Sequence, residues 1–355
     1  MRSLSGQPVF SVGREQYCWE DVVLADILWG GWAALEEDVR AGLACTRRLE
    51  RLGRTVPAQE VNEAASAFRY ERDLVAAEDA AAWLRKWRLD AEDWLGYLRR
   101  SILRRRWQGK LAELTGEFPA TALEVESAIM AEAVCSGRLD RAARKLAARA
   151  AVYERLAEQS EGENGDEWTD DGLSRELERF PESMVQRALA GLPEDQVRAR
   201  MTVVARLELA LRRFREVVST PRAIEERVGL HHLDWIRFEY QSLAFAREEA
   251  AREAALCLRE DGLALATVAA ESNAPLWAAE CYLDQVDAPL RPRFLGAREG
   301  ELVGPVELSG EFTLFQIIRK RLPSPSDPET RRRAEESVVR GAAAYELQQR
   351  VRWQT

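Results

Sequence analysis

The stretch Val303–Arg321, VGPVELSGEFTLFQIIRKR, decides how the C-terminal third of this chain is read. Ser309-Gly310 stands between two short runs of strand composition, which predicts a hairpin closing on Phe312-Thr313-Leu314-Phe315-Gln316-Ile317-Ile318. Gln316 breaks an otherwise large and apolar pattern. It is either a satisfied core amide or the remnant of a site.

Working outward, LDWIRFEYQSLAF alternates and is rich in aromatic residues, so it reads as a strand. AREEAAREAALCLREDGLALATVAAES reads as a long amphipathic helix broken at Gly262, and Pro275, Pro289 and Pro292 mark a loop before the hairpin. Residues 230–324 thus form an α+β module. Beyond it, DPETRRRAEESVVRGAAAYELQQRVRW opens on Asp327-Pro328 and carries Ala334, Val338, Ala342 and Tyr345 along one helix face. That stripe needs a surface to dock on, and the N-terminal helical region is the expected one.

Before Gly229 the pattern is helical. From Trp19 to about Arg106 apolar residues recur three and four apart, with breaks at Gly53 to Pro57 and near Leu89. In LDAEDW, Asp90 is placed to cap the next helix, with Asp93 adding favourable charge. Trp83, Trp87, Trp94, Tyr97 and Leu98 at helical spacing read as the core of a small bundle, the alternative being a groove for a client peptide. The arginines from Arg99 to Arg106 read as a solvated face. A further helical region covers Ala122 to Glu158. EQSEGENGDEWTDDG then reads as an acidic linker over 159–171, and helices resume over 172–229, where Thr220-Pro221 opens the last of them.

The chain has 355 residues and a net charge of −9, which argues against binding a phosphate backbone. Its five cysteines, Cys18, Cys45, Cys135, Cys257 and Cys281, are widely spaced and suggest neither a disulfide framework nor a zinc site. No run approaches a membrane span, and no signal-like segment opens the sequence, so a cytoplasmic location is expected, with no membrane or nucleic-acid partner. The two histidines, His231 and His232, are adjacent and read as loop or helix-end residues. Cys281, among apolar neighbours, reads as a buried small hydrophobe. Neither a metal nor a cofactor is expected.

The order of strand, long helix, Pro-interrupted loop and GELVGPVELSGEFTLFQIIRKRLPS resembles the parvulin-type (PpiC-like) peptidyl-prolyl isomerase domain. The helix AREEAAREAALCLREDGLALATVAAES and the closing hairpin carry that resemblance. VNEAASAFRYERDLVAAEDAAAWLRKWRLDAEDWLGYLRRSIL is similar to the N-terminal chaperone helices of SurA-type proteins, in which a C-terminal helix also returns to the N-terminal domain. The implied architecture is mainly α with a C-terminal α+β parvulin-like domain. It runs as a helical region over 1–158, the linker, a helical connector over 172–229, the module over 230–324, and a C-terminal helix over 325–355 that completes a SurA-like helical domain.

Carried over residue by residue, the resemblance fails where catalysis would be. The two histidines that face each other on neighbouring central strands of active parvulins fall on Gln241 and Gln316, and the Asp or Cys of that site falls near Asn273. The apolar proline pocket falls near Val286 and Leu290, and a hydroxyl position is kept as Thr313. Glutamine exchanges hydrogen bonds and does not titrate near neutral pH, so no catalytic residue is expected. Gln241 and Gln316 are then expected to hydrogen-bond one another, leaving a shape that grips extended peptide through Gln241, Val286, Leu290, Thr313 and Gln316. The resemblance extends to parvulin-related accessory proteins of peptide-maturation systems for ribosomal peptide natural products. The expected function is therefore binding of unfolded or precursor peptide without isomerase activity. The alternatives are an active prolyl isomerase and a structural subunit holding a peptide-modifying enzyme.

Overall fold

The computed structural model describes residues 6–160, 170–189, 193–308 and 310–354. It is mainly helical with a four-stranded antiparallel sheet in the C-terminal part, the fold class expected from the sequence. Two compact units are present, Met1–Phe214 with Ala343–Thr355, and Arg215–Ala342.

The first unit begins with strands β1 (Pro8–Val12) and β2 (Glu15–Cys18). Helices α1 (Trp19–Leu28), α2 (Gly31–Arg51), α3 (Ala58–Glu71), α4 (Ala77–Trp87), α5 (Ala91–Arg106), α6 (Leu111–Glu117), α7 (Ala122–Cys135) and α8 (Arg138–Ser160) follow. After them come α9 (Asp170–Leu177), α10 (Glu182–Leu189) and α11 (Glu194–Val218), the last crossing the unit boundary. The breaks fall where Gly53 to Pro57 and Leu89 predict them. Asp90 caps α5 through the Asp93 amide at 2.8 Å, while Asp93 accepts from the Asp90 amide at 3.1 Å. Phe68 packs against Trp83, Trp94 and Tyr97, with ring centroids 5.4, 5.6 and 6.3 Å away, so these aromatics are core.

Three expectations for this unit need correction. The first residues are not helical: β1 pairs with β2 and also with β7 (Val351–Trp353), in the order β2-β1-β7. Such short strands show no alternation, and the third comes from the other end of the chain. Fully buried Phe10 stacks on Tyr17 at 4.7 Å and meets the edge of Trp353 at 5.5 Å. Second, the arginine run is not simply solvated. Arg100 and Arg104 both reach Glu132, which is 1% exposed, at 3.3 and 2.5 Å. Third, on helix α16 (Pro328–Arg350) Tyr345 is exposed, and the inward positions near it are Ala343 and Glu346. Glu346 tolerates burial because Arg350 and Arg155 flank it at 2.7 and 3.6 Å. The acidic linker expected over 159–171 lies mostly outside the described residues, and its ends belong to α8 and α9.

The second unit holds α12 (Pro221–Leu230), β3 (Arg237–Phe245), α13 (Glu248–Arg259), α14 (Leu265–Ser272), β4 (Leu276–Tyr282), α15 (Arg291–Gly296), β5 (Leu302–Leu308) and β6 (Glu311–Arg321). The opening turns of α16 belong to it as well. Thr220 caps α12 through the Ala223 amide at 3.2 Å, and Pro221 occupies the first turn. Gly262, at φ +65°, separates α13 from α14 as its permissive backbone predicts. β5 and β6 form the expected hairpin; Ser309 lies outside the described residues and Gly310 stands at φ +85°.

The sheet order is β4-β3-β6-β5, with every neighbour antiparallel. The proline-interrupted segment is more than a loop, since it contains the edge strand β4 and the short α15. LWAAECY lacks β-branched residues, and backbone pairing with β3 rather than side-chain patterning makes it a strand.

Candidate functional site

Strands β3 and β6 are the two central strands, and their register sets Gln241 directly opposite Gln316. Gln241 also faces Ala278 on β4, and Gln316 faces Leu302 on β5. The facing pair that the sequence implies is therefore present, both amides half-buried. They are not joined: Gln316 Nε2 donates to the Gly300 carbonyl at 3.4 Å, and no hydrogen bond links the two amides among the described residues.

Side chains alternate between faces along a strand. Two residues on from the amides on one face come Leu243 and Leu314, both fully buried against Ala251, Ala254, Leu265 and Val268 of α13 and α14. Phe315 and Ile317 point to the other face, where they meet Val286, Leu290 and Phe294. Thr313 shares that second face, opposite Ala244 and Val306. The expected binding residues are thus split. Gln241 and Gln316 lie on the helix-covered side, while Val286, Leu290 and Thr313 lie on the other.

Val286 and Leu290 are buried, 9% and 5% exposed, rather than lining an open hollow. The reason is aromatic filling: Phe294 lies 5.5 Å from Phe238, 5.9 Å from Tyr240 and 5.4 Å from Phe315. Asn273 ends α14 with φ +53° and is exposed, and no hydrogen bond ties it to either amide among the described residues. An amide has no proton to give or take near neutrality, so this arrangement supports hydrogen bonding and not acid–base work.

The other candidates resolve simply. His231 caps the C-terminus of α12 and stacks on Trp235 at 4.7 Å, with its Nδ1 3.5 Å from Asp234; His232 is exposed. The Cys281 thiol is pushed up to about 11, first by burial and then by the Glu280 and Asp284 carboxylates, so it is no nucleophile at neutral pH. Among the described residues no cluster of His, Cys, Asp or Glu is arranged to hold a metal ion, and no helix is long and apolar enough to cross a membrane.

Two features escaped the sequence. One is the exposed edge of β4, where Leu276 to Glu280 all face solvent and Trp277 is 64% exposed. The other is a cavity of about 720 Å³ between α2, α3 and α5, part of whose wall is Arg100. A visible signal for the burial of Arg100 was its partner Glu132, a lone carboxylate in the apolar run AIMAEAVC.

No protein-family model and no curated protein matches the chain. Among solved structures it is similar to the foldase protein PrsA of Streptococcus pneumoniae strain Canada MDR_19A, at 13% identity and a TM-score of 0.25, over 59% of this chain and 84% of that one. It is also similar to PrsA of Bacillus subtilis, at 13% identity and a TM-score of 0.22, over 62% of this chain and 86% of that one.

Proposed function

We propose that this protein is a peptide-binding, chaperone-like protein without prolyl isomerase activity, and that it receives polypeptide in extended form. The observation that carries this reading is the free edge of β4, a seven-residue strand whose register with β3 has no bulge. Edge strands are ordinarily blunted by charged side chains, proline, bulges or a covering element; LWAAECY has no proline and no bulge, and its one charge, Glu280, is paired with Arg237 at 2.7 Å on the neighbouring strand. Such an edge pairs its main chain with an added strand and holds alternate side chains, a recurring mode of peptide capture. Trp277 supplies an aromatic anchor there.

The absence of isomerase activity is supported by the two amides. Glutamines stand where the parvulin resemblance expects imidazoles, and Val286 and Leu290, near which it expects a proline pocket, are buried beside Phe294. Under this reading the client is an unfolded or precursor peptide, and the setting is a cytoplasmic peptide-maturation system in which a modifying enzyme acts on the presented chain. Five unpaired cysteines suit a reducing compartment.

The test is fluorescence anisotropy of labelled, reduced and carboxymethylated α-lactalbumin titrated with the full chain. Saturable binding that Trp277→Lys weakens about tenfold is expected, since a charge on an edge opposes strand addition and removes the aromatic anchor. No saturable binding, or binding indifferent to the substitution, contradicts the proposal. Self-association of the chain through the same edge would also contradict it, and sedimentation of the unmixed protein detects that.

A further inference from the structure

We infer that the cavity between α2, α3 and α5 is a binding site for an apolar monocarboxylate, with its carboxylate received by Arg100. The cavity's volume, about 720 Å³, falls within the roughly 300–1,000 Å³ of small-ligand sites. Its walls are mainly apolar, with Leu43, Leu49, Val61, Leu95 and Leu103 among them.

Arg100 is 9% exposed, and among the described residues only Nε of its guanidinium nitrogens donates a hydrogen bond, to Glu132 at 3.3 Å. Its Nη2 is enclosed, with no partner among the described residues. Its Nη1 comes within 3.3 Å of where a Cβ on Gly96, another residue of the cavity wall, would stand. Buried donors are ordinarily satisfied, so this guanidinium is held at a cost in free energy, and any further acceptor must come to it from the cavity side, at Nη1.

The charge count points the same way. Arg100 and Arg104 pair with Glu132, Arg104 also reaches Asp38 at 3.3 Å, and Arg138 reaches Asp38 as well. Three guanidiniums thus share two carboxylates in this chain of pairs. Of the three, only Arg100 borders the cavity. Arg99, also on the wall, is engaged by Glu92 at 2.6 Å, and the wall further carries Arg54 and Glu50, so its cations outnumber its carboxylates by one. A carboxylate in the cavity would give Nη1 an acceptor and this chain of pairs a third negative charge, and the apolar part of the wall would take the body that carries it.

Two sources offer this chemistry, the C-terminus of an apolar peptide and a free fatty acid. The inference is independent of the β4 edge, because no β4 residue borders the cavity. Isothermal titration of the full chain with decanoate and with the tetrapeptide Ala-Leu-Val-Leu, each compared with its C-terminal primary amide, tests it. At least one acid is expected to bind one per chain, with its amide about tenfold or more weaker, the loss of a charged hydrogen-bonded partner. The acid that binds identifies the source. Gly96→Leu, which favours the helix while filling the cavity, is expected to abolish binding with an unchanged thermal midpoint or a raised one. Equal binding of acid and amide, binding by neither acid, or binding that persists in Gly96→Leu overturns the inference. Loss of α-lactalbumin binding in Trp277→Lys leaves this expectation unaltered, so the two sites fail separately.

Discussion

Gln241 on β3 and Gln316 on β6 stand directly across from one another, yet they share no hydrogen bond and lie on the opposite face of the sheet from Val286, Leu290 and Thr313. Replacing amides with imidazoles therefore does not rebuild a site around the filled aromatic cluster. The double variant Gln241→His, Gln316→His is expected to leave the cis/trans rate of an X-Pro tetrapeptide unchanged in a protease-coupled assay. Acceleration above the uncatalysed rate would show that the amide pair and a prolyl-sized space do communicate.

Phe294 is 2% exposed and touches Phe238, Tyr240 and Phe315. Phe294→Ala is expected to cost about 3–5 kcal/mol of stability through the lost burial and the cavity left behind. Leu290→Trp, at a 5% exposed position, is expected to cost about 1–3 kcal/mol by overpacking. Urea unfolding followed by circular dichroism measures both; a neutral Leu290→Trp would reveal an open pocket at that position.

Helix α5 approaches α2 over Gly42, where an added Cβ would stand 2.9 Å from the Cβ of Arg100 and 3.0 Å from its Cδ. Gly42→Ala is expected to cost about 1–3 kcal/mol because it pushes against this buried stem. Glu132→Ala leaves two guanidiniums facing an empty seat and is expected to cost about 3–5 kcal/mol. Chemical denaturation of each variant checks these figures, and a stable Glu132→Ala protein would contradict the account of the ion network.

The Cys281 thiol, pushed up to about 11, stays protonated through neutral pH. Burial acts against the charged form, so the thiolate appears later than in an unfolded chain. Iodoacetamide labelling of Cys281 in the folded protein, followed by peptide mass spectrometry, is expected to be slow at pH 8 and to rise steeply only as pH approaches 11. Labelling at pH 8 as fast as that of an unfolded control contradicts this.

Much of the second unit was legible because its periodicity changes from two to 3.6 between Phe245 and Glu248, and because Gly262 and Gly310 punctuate it. Counting from those markers brings Gln241 and Gln316 together. Which face Val286 and Leu290 occupy was not legible, since it depends on the side of the sheet along which residues 283–297 pass, and no local pattern records that. β4 was hidden for a related reason: an exposed edge strand has no buried side for alternation to report. The Arg100 and Glu132 pair was masked by neighbouring arginines, five between Arg99 and Arg106, that look alike in sequence and differ only in what they face.

The central claim is that this protein holds extended polypeptide without turning over its prolyl bonds. Exchange NMR of a single peptide containing an Ala-Pro bond, recorded at rising protein concentration, tests both halves at once. Saturable shifts of the peptide resonances with no growth of cis/trans exchange cross-peaks are predicted. Growing cross-peaks, or resonances that never move, would contradict it.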